Sequence, residues 1–380
     1  MKSKRNLYVL ALGVFGITTT EFGVIGVLPE IASAFHVPID KAGWLLSIFA
    51  LIVALFGPFM IILFSSFKRK NLLVASLCIF SVANILSAYI TNFYILLATR
   101  MIPAFFHPVY WSISLSVAEK ISTPENKSKA VSIIFSGLTL ATVLGVPLAT
   151  LMSDLFSWQS SFLLTAFINM LALAGVQLFL PSIQNTGELP IRFGSTRVQS
   201  KCLWTNLFLA FFTITAMYST YGYMADFLKN VSLMNGRQIS MMLFLFGTVG
   251  IFGNKMAGNY MSRFPFETTL IFLILLIGIH LLIHYYGGFF IPMIGIICFW
   301  GLIHSGGFLI SNINVTSSTS GSPELINSIF TSCGNFAVTA GTLLGGFWIS
   351  HYGIKNIVWS SVICITGALL ILILKKKLIE

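Results

Sequence analysis

The chain has 380 residues, of which 56% are hydrophobic and only 9% charged, with a formal net charge of +11. A soluble domain carries roughly 25% charged residues, so a soluble enzyme is excluded and a polytopic membrane protein is indicated. The basic residues are spread over many short segments instead of one patch, which argues against nucleic acid as a partner and for the lipid bilayer as the surroundings.

Segments of about 20 apolar residues, enough to cross a roughly 30 Å hydrocarbon core, recur along the chain. Their centres fall near Phe15, Leu51, Phe80, Trp111, Leu144, Leu171, Ile214, Phe246, Leu275, Cys298, Ala337 and Ile365. Twelve transmembrane helices are therefore expected, and the long apolar run Ile271 to Val315 has to be cut at Tyr285 to Phe289. With the N-terminus in the cytoplasm, 17 of the 22 basic residues fall on the cytoplasmic side, among them Lys68, Arg69 and Lys70. Four fall outside (Lys41, Lys229, Arg237 and Lys355), and Arg100 lies within a span. This positive-inside bias places both termini in the cytoplasm, with the chain in the cell inner (cytoplasmic) membrane. The basic start MKSKR and the Ala32-Ser33-Ala34 triplet also fit a signal peptide. However, the apolar stretch Leu7 to Leu28 outruns the roughly 7 to 15 residues of such a segment and contains Glu21.

An ionised acid at mid-bilayer costs about 2.5 to 3.5 kcal/mol on insertion scales, so Glu21 should face a polar cavity and take part in ion or proton movement. The five cysteines are scattered without C-x-x-C spacing and read as small apolar fillers. His280 and His284, at i, i+4, could hold a metal from one helix face, but no third ligand is visible nearby, so no metal is expected. There is neither a phosphate loop nor a nucleophile elbow, and the six histidines and eleven acids supply no convergent catalytic set. An enzyme is not expected.

The polar stretch Pro181 to Lys201 divides the chain into six spans and six spans: residues 1–181, a linker at 182–202, and residues 203–380. An offset of 197 residues brings Gly137 onto Gly334 and Asp154 onto His351. Repeated halves with a substrate path between them are a common transporter plan. The expected fold is all-α, two six-helix bundles around a central cavity.

The fifth span reads SGLTLATVLGVPLATLMSD, with Gly137, Ala141, Gly145 and Pro147. It resembles the G-x-x-x-x-x-x-x-G-x-P antiporter motif of drug:proton antiporters in the major facilitator superfamily. TTTEFGVIGVLPEIA in the first span and RMIPAFFHPVYWS in the fourth are similar to the bacterial sugar and drug efflux branch, which includes arabinose and chloramphenicol exporters. The loop after the second span, SSFKRKN, departs from the family pattern, having Ser65 and Ser66 where an Asp precedes the basic cluster. The resemblance implies that the fifth span packs against the opposite bundle to seal the cavity, and the glycine-rich eighth span (Gly247, Gly250, Gly253) is a candidate partner. Small residues let helices approach closely in lipid, and Pro147 should bend its helix.

It also implies that the first and fourth spans line the cavity and that the fourth-span Arg100 takes part in proton coupling. Counted from the outer ends of their spans, Glu21 and Arg100 both lie about eight residues in, roughly 12 Å deep. A carboxylate beside a guanidinium stays ionised, whereas one left in an apolar cavity takes up a proton. The pair would then act as a proton switch, with a structural ion pair as the alternative. His107, one or two turns further in, could relay protons or bind substrate. Tyr110, Trp111, Tyr218, Tyr221 and Asp226 are candidate cavity residues. The function expected is proton-coupled efflux of small organic molecules such as sugars or drugs by a monomeric antiporter, with no cofactor beyond the proton gradient. An importer or facilitator on the same fold, not proton-coupled, is the alternative.

Overall fold

The computed structural model describes residues 2–64, 67–123, 127–181, 201–318 and 323–379. Ser65 and Ser66 of the basic loop, and residues 182–200 of the expected linker, lie outside the described residues. Lys201 and Cys202, assigned to the linker by sequence, already open the helix Lys201–Tyr221.

Backbone amides in hydrocarbon must be satisfied within the segment that carries them, which leaves the helix as the structure for such a sequence. No strand occurs among the described residues. In chain order the first to third spans are Lys4–Ala34, Ile39–Ile61 and Arg69–Tyr89, the fifth and sixth Lys129–Leu155 and Trp158–Phe179. The seventh to tenth are Lys201–Asn230, Gly236–Met261, Pro265–Tyr286 and Phe290–Thr316, and the twelfth is Ile354–Lys375. These are long and apolar enough to cross a membrane. Between them, the fourth (Phe93–Lys120) and eleventh (Pro323–Tyr352) are 28 and 30 residues long. The ninth and tenth helices are separated at Gly287–Phe289.

Polar residues inside these helices mostly satisfy themselves. Thr19, Thr20, Ser47, Ser81, Ser87, Thr150 and Thr342 each donate the side-chain hydroxyl to the carbonyl four residues earlier in the same helix. The eighth span begins with a reciprocal cap, in which Asn235 accepts from the Gln238 amide and Gln238 from that of Asn235.

The chain forms two compact units. One comprises the first span together with the chain from Leu55 through the sixth span; the other comprises Pro38–Ala54 together with the seventh to twelfth spans. The second span thus changes unit at Ala54, inside the stretch that sequence assigns to one N-terminal half.

In the first unit, the fifth span lies against the first. A side chain at Gly137 would fall on the Ala11 carbonyl oxygen, and one at Gly145 on Thr19. The close approach expected of the antiporter-motif glycines is therefore made to the first span. Gly250 and Gly253, the expected partners in the eighth span, instead meet Ser305 and the Leu302 backbone of the tenth. At Gly137 and Gly253 the neighbour is backbone, which leaves no room for a Cβ and is why these two positions need glycine. Pro147 lies in the first turn of Val146–Leu155, directly after a π-helical turn, Ala141–Gly145. The missing proline N–H thus falls just after a widened turn, a break in the regular helix at the position where the sequence predicts a bend.

The second unit repeats the plan. Gly341 and Gly345 of the eleventh span meet the Thr215 and Ser219 carbonyls of the seventh. Ser361 of the twelfth span bonds Ser219 at 2.8 Å and Thr220 at 2.6 Å. Pro38–Ala54 is tied into this unit by Thr339, which donates to the Ser47 carbonyl at 3.1 Å. Tyr223 fills the space left beside Gly43.

Replacing Gly137 by valine is expected to destabilise the protein by about 1 to 3 kcal/mol, lowering the unfolding temperature in detergent by several degrees. Gly278→Ala, where a Cβ meets nothing within 4 Å, should leave that temperature unchanged or raise it.

Candidate proton and substrate site

Glu21 is the penultimate residue of the helix Lys2–Phe22, which passes into a 3-10 turn at Gly23–Val27. It is 3% exposed. Its Oε2 lies 3.2 Å from Nε2 of His107. The two groups stand within ion-pair distance, the imidazole being charged only when protonated.

Arg100 is also 3% exposed and lies close enough to Glu21 for the two charges to interact. Its Nη2 donates to the Thr20 carbonyl at 2.8 Å, and its guanidinium lies 5.6 Å from the Phe162 ring centre. The last-turn carbonyls of an α-helix lack their full set of amide partners, so the end of the helix at Phe22 offers Thr20 O to the guanidinium. The close partner of Glu21 is thus His107, while Arg100 is anchored one residue away. Sequence counting placed the acid and the arginine at one depth, and the structure adds the contact of the acid with His107.

Thr20 joins these elements. Its hydroxyl donates to the Gly16 carbonyl at 3.0 Å and accepts from Asn84 of the third span at 2.9 Å and Asn169 of the sixth at 3.2 Å. A hydroxyl has one donor and two acceptor positions, and all three are used. Thr19, Asn84, Ser161 and Thr165 complete a polar niche beside Arg100. The sequence reading overlooked Thr20, Asn84 and Asn169; asparagines within apolar spans, which bind helices to one another in lipid, were the available signal.

The basic cluster acts inside the first unit. Arg69 donates to the Ser116 hydroxyl of the fourth span, and Lys70 to the Gln177 carbonyl of the sixth at 2.8 Å. Lys68 precedes the third-span helix without a capping side-chain bond.

The aromatic candidates separate. Tyr110, read as a cavity residue, is fully buried, donates to the Leu10 carbonyl at 3.3 Å and occupies the space left by Gly13. It is a packing residue because the first span comes too close to leave an opening. Trp111 meets Phe135 edge-on at 5.2 Å. Tyr218 and Tyr221 are buried with Phe246, Trp300 and His304 in the second unit. Asp226 is buried in the short helix Met224–Asn230 and accepts from Asn230 at 2.7 Å. His280 and His284 turn to different partners: Nδ1 of His280 faces the Leu276 carbonyl at 2.7 Å, and the His284 ring packs on Trp359 at 5.4 Å. Among the described residues no group of three His, Cys, Asp or Glu side chains could hold a metal.

Helices of membrane-crossing length arranged around a buried cluster of ionisable groups define a membrane transporter. The chain belongs to the Major Facilitator Superfamily, whose family model matches residues 10–326. A probable sugar efflux transporter of Pasteurella multocida (strain Pm70) is 27% identical over 369 residues, covering 97% of this chain and 91% of the relative. Among solved structures, a bacterial homologue of the human lysosomal transporter Spinster, in an inward-facing and occupied conformation, matches with a TM-score of 0.79 at 15% identity. That match covers 98% of this chain and 96% of the other. A single-residue mutant of the nucleoside transporter NupG matches with a TM-score of 0.76 at 11% identity, covering 100% of both chains. At these identities the likeness concerns the fold. The chain is a multi-pass transporter of small molecules and not an enzyme.

Thr20→Val removes the hydroxyl shared by three helices, leaves the buried Asn84 amide with the Phe80 carbonyl alone and cuts the tie to Asn169. A loss of about 1 to 3 kcal/mol is expected, measured as a lower unfolding midpoint, while Thr20→Ser should retain most of the stability.

Proposed function

We propose that the protein is a proton-coupled efflux antiporter that exports sugars or similar small organic molecules across the cytoplasmic membrane. The observation that carries the proposal is the buried contact between Glu21 and His107 beside Arg100. A carboxylate and an imidazole in contact, next to a fixed positive charge, form a site whose charge changes by one when a proton arrives or leaves. The similarity to a probable sugar efflux transporter supports the choice of substrate class and direction, and the distribution of basic residues supports cytoplasmic termini.

In this scheme Glu21 and His107 accept a proton from the outer side and release it inward, and their charge state biases the two access states. One proton moving down 100 mV supplies about 2.3 kcal/mol, enough for roughly fifty-fold accumulation of a neutral solute. No cofactor is needed, and a monomer suffices because both units belong to one chain.

The test is transport in proteoliposomes with an imposed pH gradient and a labelled sugar. Wild-type protein is expected to accumulate sugar against its gradient, and Glu21→Gln to lose at least tenfold of that accumulation while keeping exchange without the gradient. Undiminished gradient-driven accumulation by Glu21→Gln at normal expression would end the coupling role. Sugar uptake indifferent to pH in both proteins would favour a facilitator.

A further inference from the structure

At one end of the first unit, basic side chains from two spans gather on the last turn of a third. The helix Lys2–Phe22 opens with Lys4 and Arg5, both exposed. Arg5 lies over the Phe179 ring, 4.1 Å from its centre, at the end of the sixth-span helix Trp158–Phe179. Lys70 of the third span reaches the same helix end and donates to the Gln177 carbonyl at 2.8 Å. That carbonyl is open to a side chain because the residue four positions on is Pro181, which has no N–H to offer. Among the described residues no carboxylate pairs with Lys4, Arg5 or Lys70.

From this basic end a groove of about 520 Å³ runs along the first span, lined by Lys4, Arg5, Tyr8, Val9 and Leu12. These positions follow one another at i, i+1, i+4, i+5 and i+8, the spacing of a single helix face. At 1.5 Å per residue the face is roughly 12 Å long, cationic at its start and apolar beyond. The sixth helix backs it, since a Cβ at Gly175 would stand 2.9 Å from a Val9 methyl. Tyr8, by contrast, is 62% exposed, so the groove is open along its side.

The surroundings define what fills it. This helix crosses the membrane, so its exposed apolar face meets hydrocarbon, and cations at the start of such a face attract anions borne by the lipid itself. Free phosphate would use the basic end and leave the apolar face bare. An acidic peptide could not follow the face into the bilayer, because its backbone amides would lose their water partners. A zwitterionic phospholipid brings an ammonium group against three like charges. A phosphate diester without an amine brings one net negative charge for the cations and a chain for the groove. A guanidinium lying over a ring still presents its N–H groups at its edge, where two phosphate oxygens can be met together.

We infer that this groove is a binding site for an anionic phospholipid, with the phosphate at Lys4 and Arg5 beside Lys70 and one acyl chain along Tyr8, Val9 and Leu12.

The experiment titrates the delipidated full chain with phosphatidylglycerol or phosphatidylcholine in a non-ionic detergent and counts bound lipids by native mass spectrometry. Wild-type protein is expected to retain one phosphatidylglycerol in preference to phosphatidylcholine. Each cation near the membrane surface contributes roughly fivefold to the affinity for an anionic lipid. Lys4→Gln and Arg5→Gln should therefore each weaken retention about fivefold and the double variant about twentyfold, whereas Lys4→Arg with Arg5→Lys should keep most of it. The single variants decide the matter should the double variant fold poorly. Equal retention of the two lipids by the wild type, or phosphatidylglycerol retention unaffected by either glutamine substitution, would overturn the site. Displacement of the lipid by glycerol phosphate, which has the head without the chains, would reduce the groove to a phosphate patch and overturn it as well. So would a dimer that persists in place of the lipid-bound monomer, since a second copy would then cover this face.

Discussion

A guanidinium buried among apolar helices has to be answered by groups from those helices, and the answer to Arg100 organises the first unit. Its bond to the Thr20 carbonyl fixes the fourth span against the end of the first helix. The Thr20 hydroxyl then receives Asn84 and Asn169, so the third and sixth spans take their register from the same residue. With Thr20 held from three sides, the next side chain along, Glu21, is delivered to His107. The position of the acid is thus a consequence of how the neighbouring charge is satisfied.

Each unit is assembled around its own leading helix, the first span in one and the seventh in the other. The fifth span reaches the first through Gly137 and Gly145, and the eleventh reaches the seventh through Gly341 and Gly345. What differs is the polar content. The first unit gathers a carboxylate, a guanidinium and an imidazole, whereas the second gathers hydroxyls at Ser219, Thr220 and Ser361, aromatic rings around His304 and, apart from these, the buried Asp226.

Much of this was legible from the residues alone. Hydrophobic length gave the crossing segments, and the apolar run from Ile271 to Val315 divides at Gly287–Phe289, within one or two residues of where sequence cut it. Counting turns placed Glu21 and Arg100 at a common depth. Depth is one-dimensional, however, and helix rotation is not encoded in it, so His107 as the near partner of Glu21 escaped the count. The antiporter-motif glycines were recognised as close-approach positions, but composition cannot name the helix approached. Tyr110 could be recognised as a packing residue only from the helix beside it, since a sequence does not show which aromatic lies over which glycine.

The hydroxyls that bond their own helix four residues back have a mechanical consequence. Thr150, Ser81, Ser87 and Thr342 make those bonds within one helix, so a shift of that helix against its neighbours breaks none of them. Cross-helix bonds such as Asn84 to Thr20 act as rivets, whereas self-bonded serines and threonines act as a dry lubricant, polar enough to interrupt apolar interdigitation yet with no claim on the adjacent surface. The placement of the two kinds divides this protein into joints meant to stay fixed and faces free to slide.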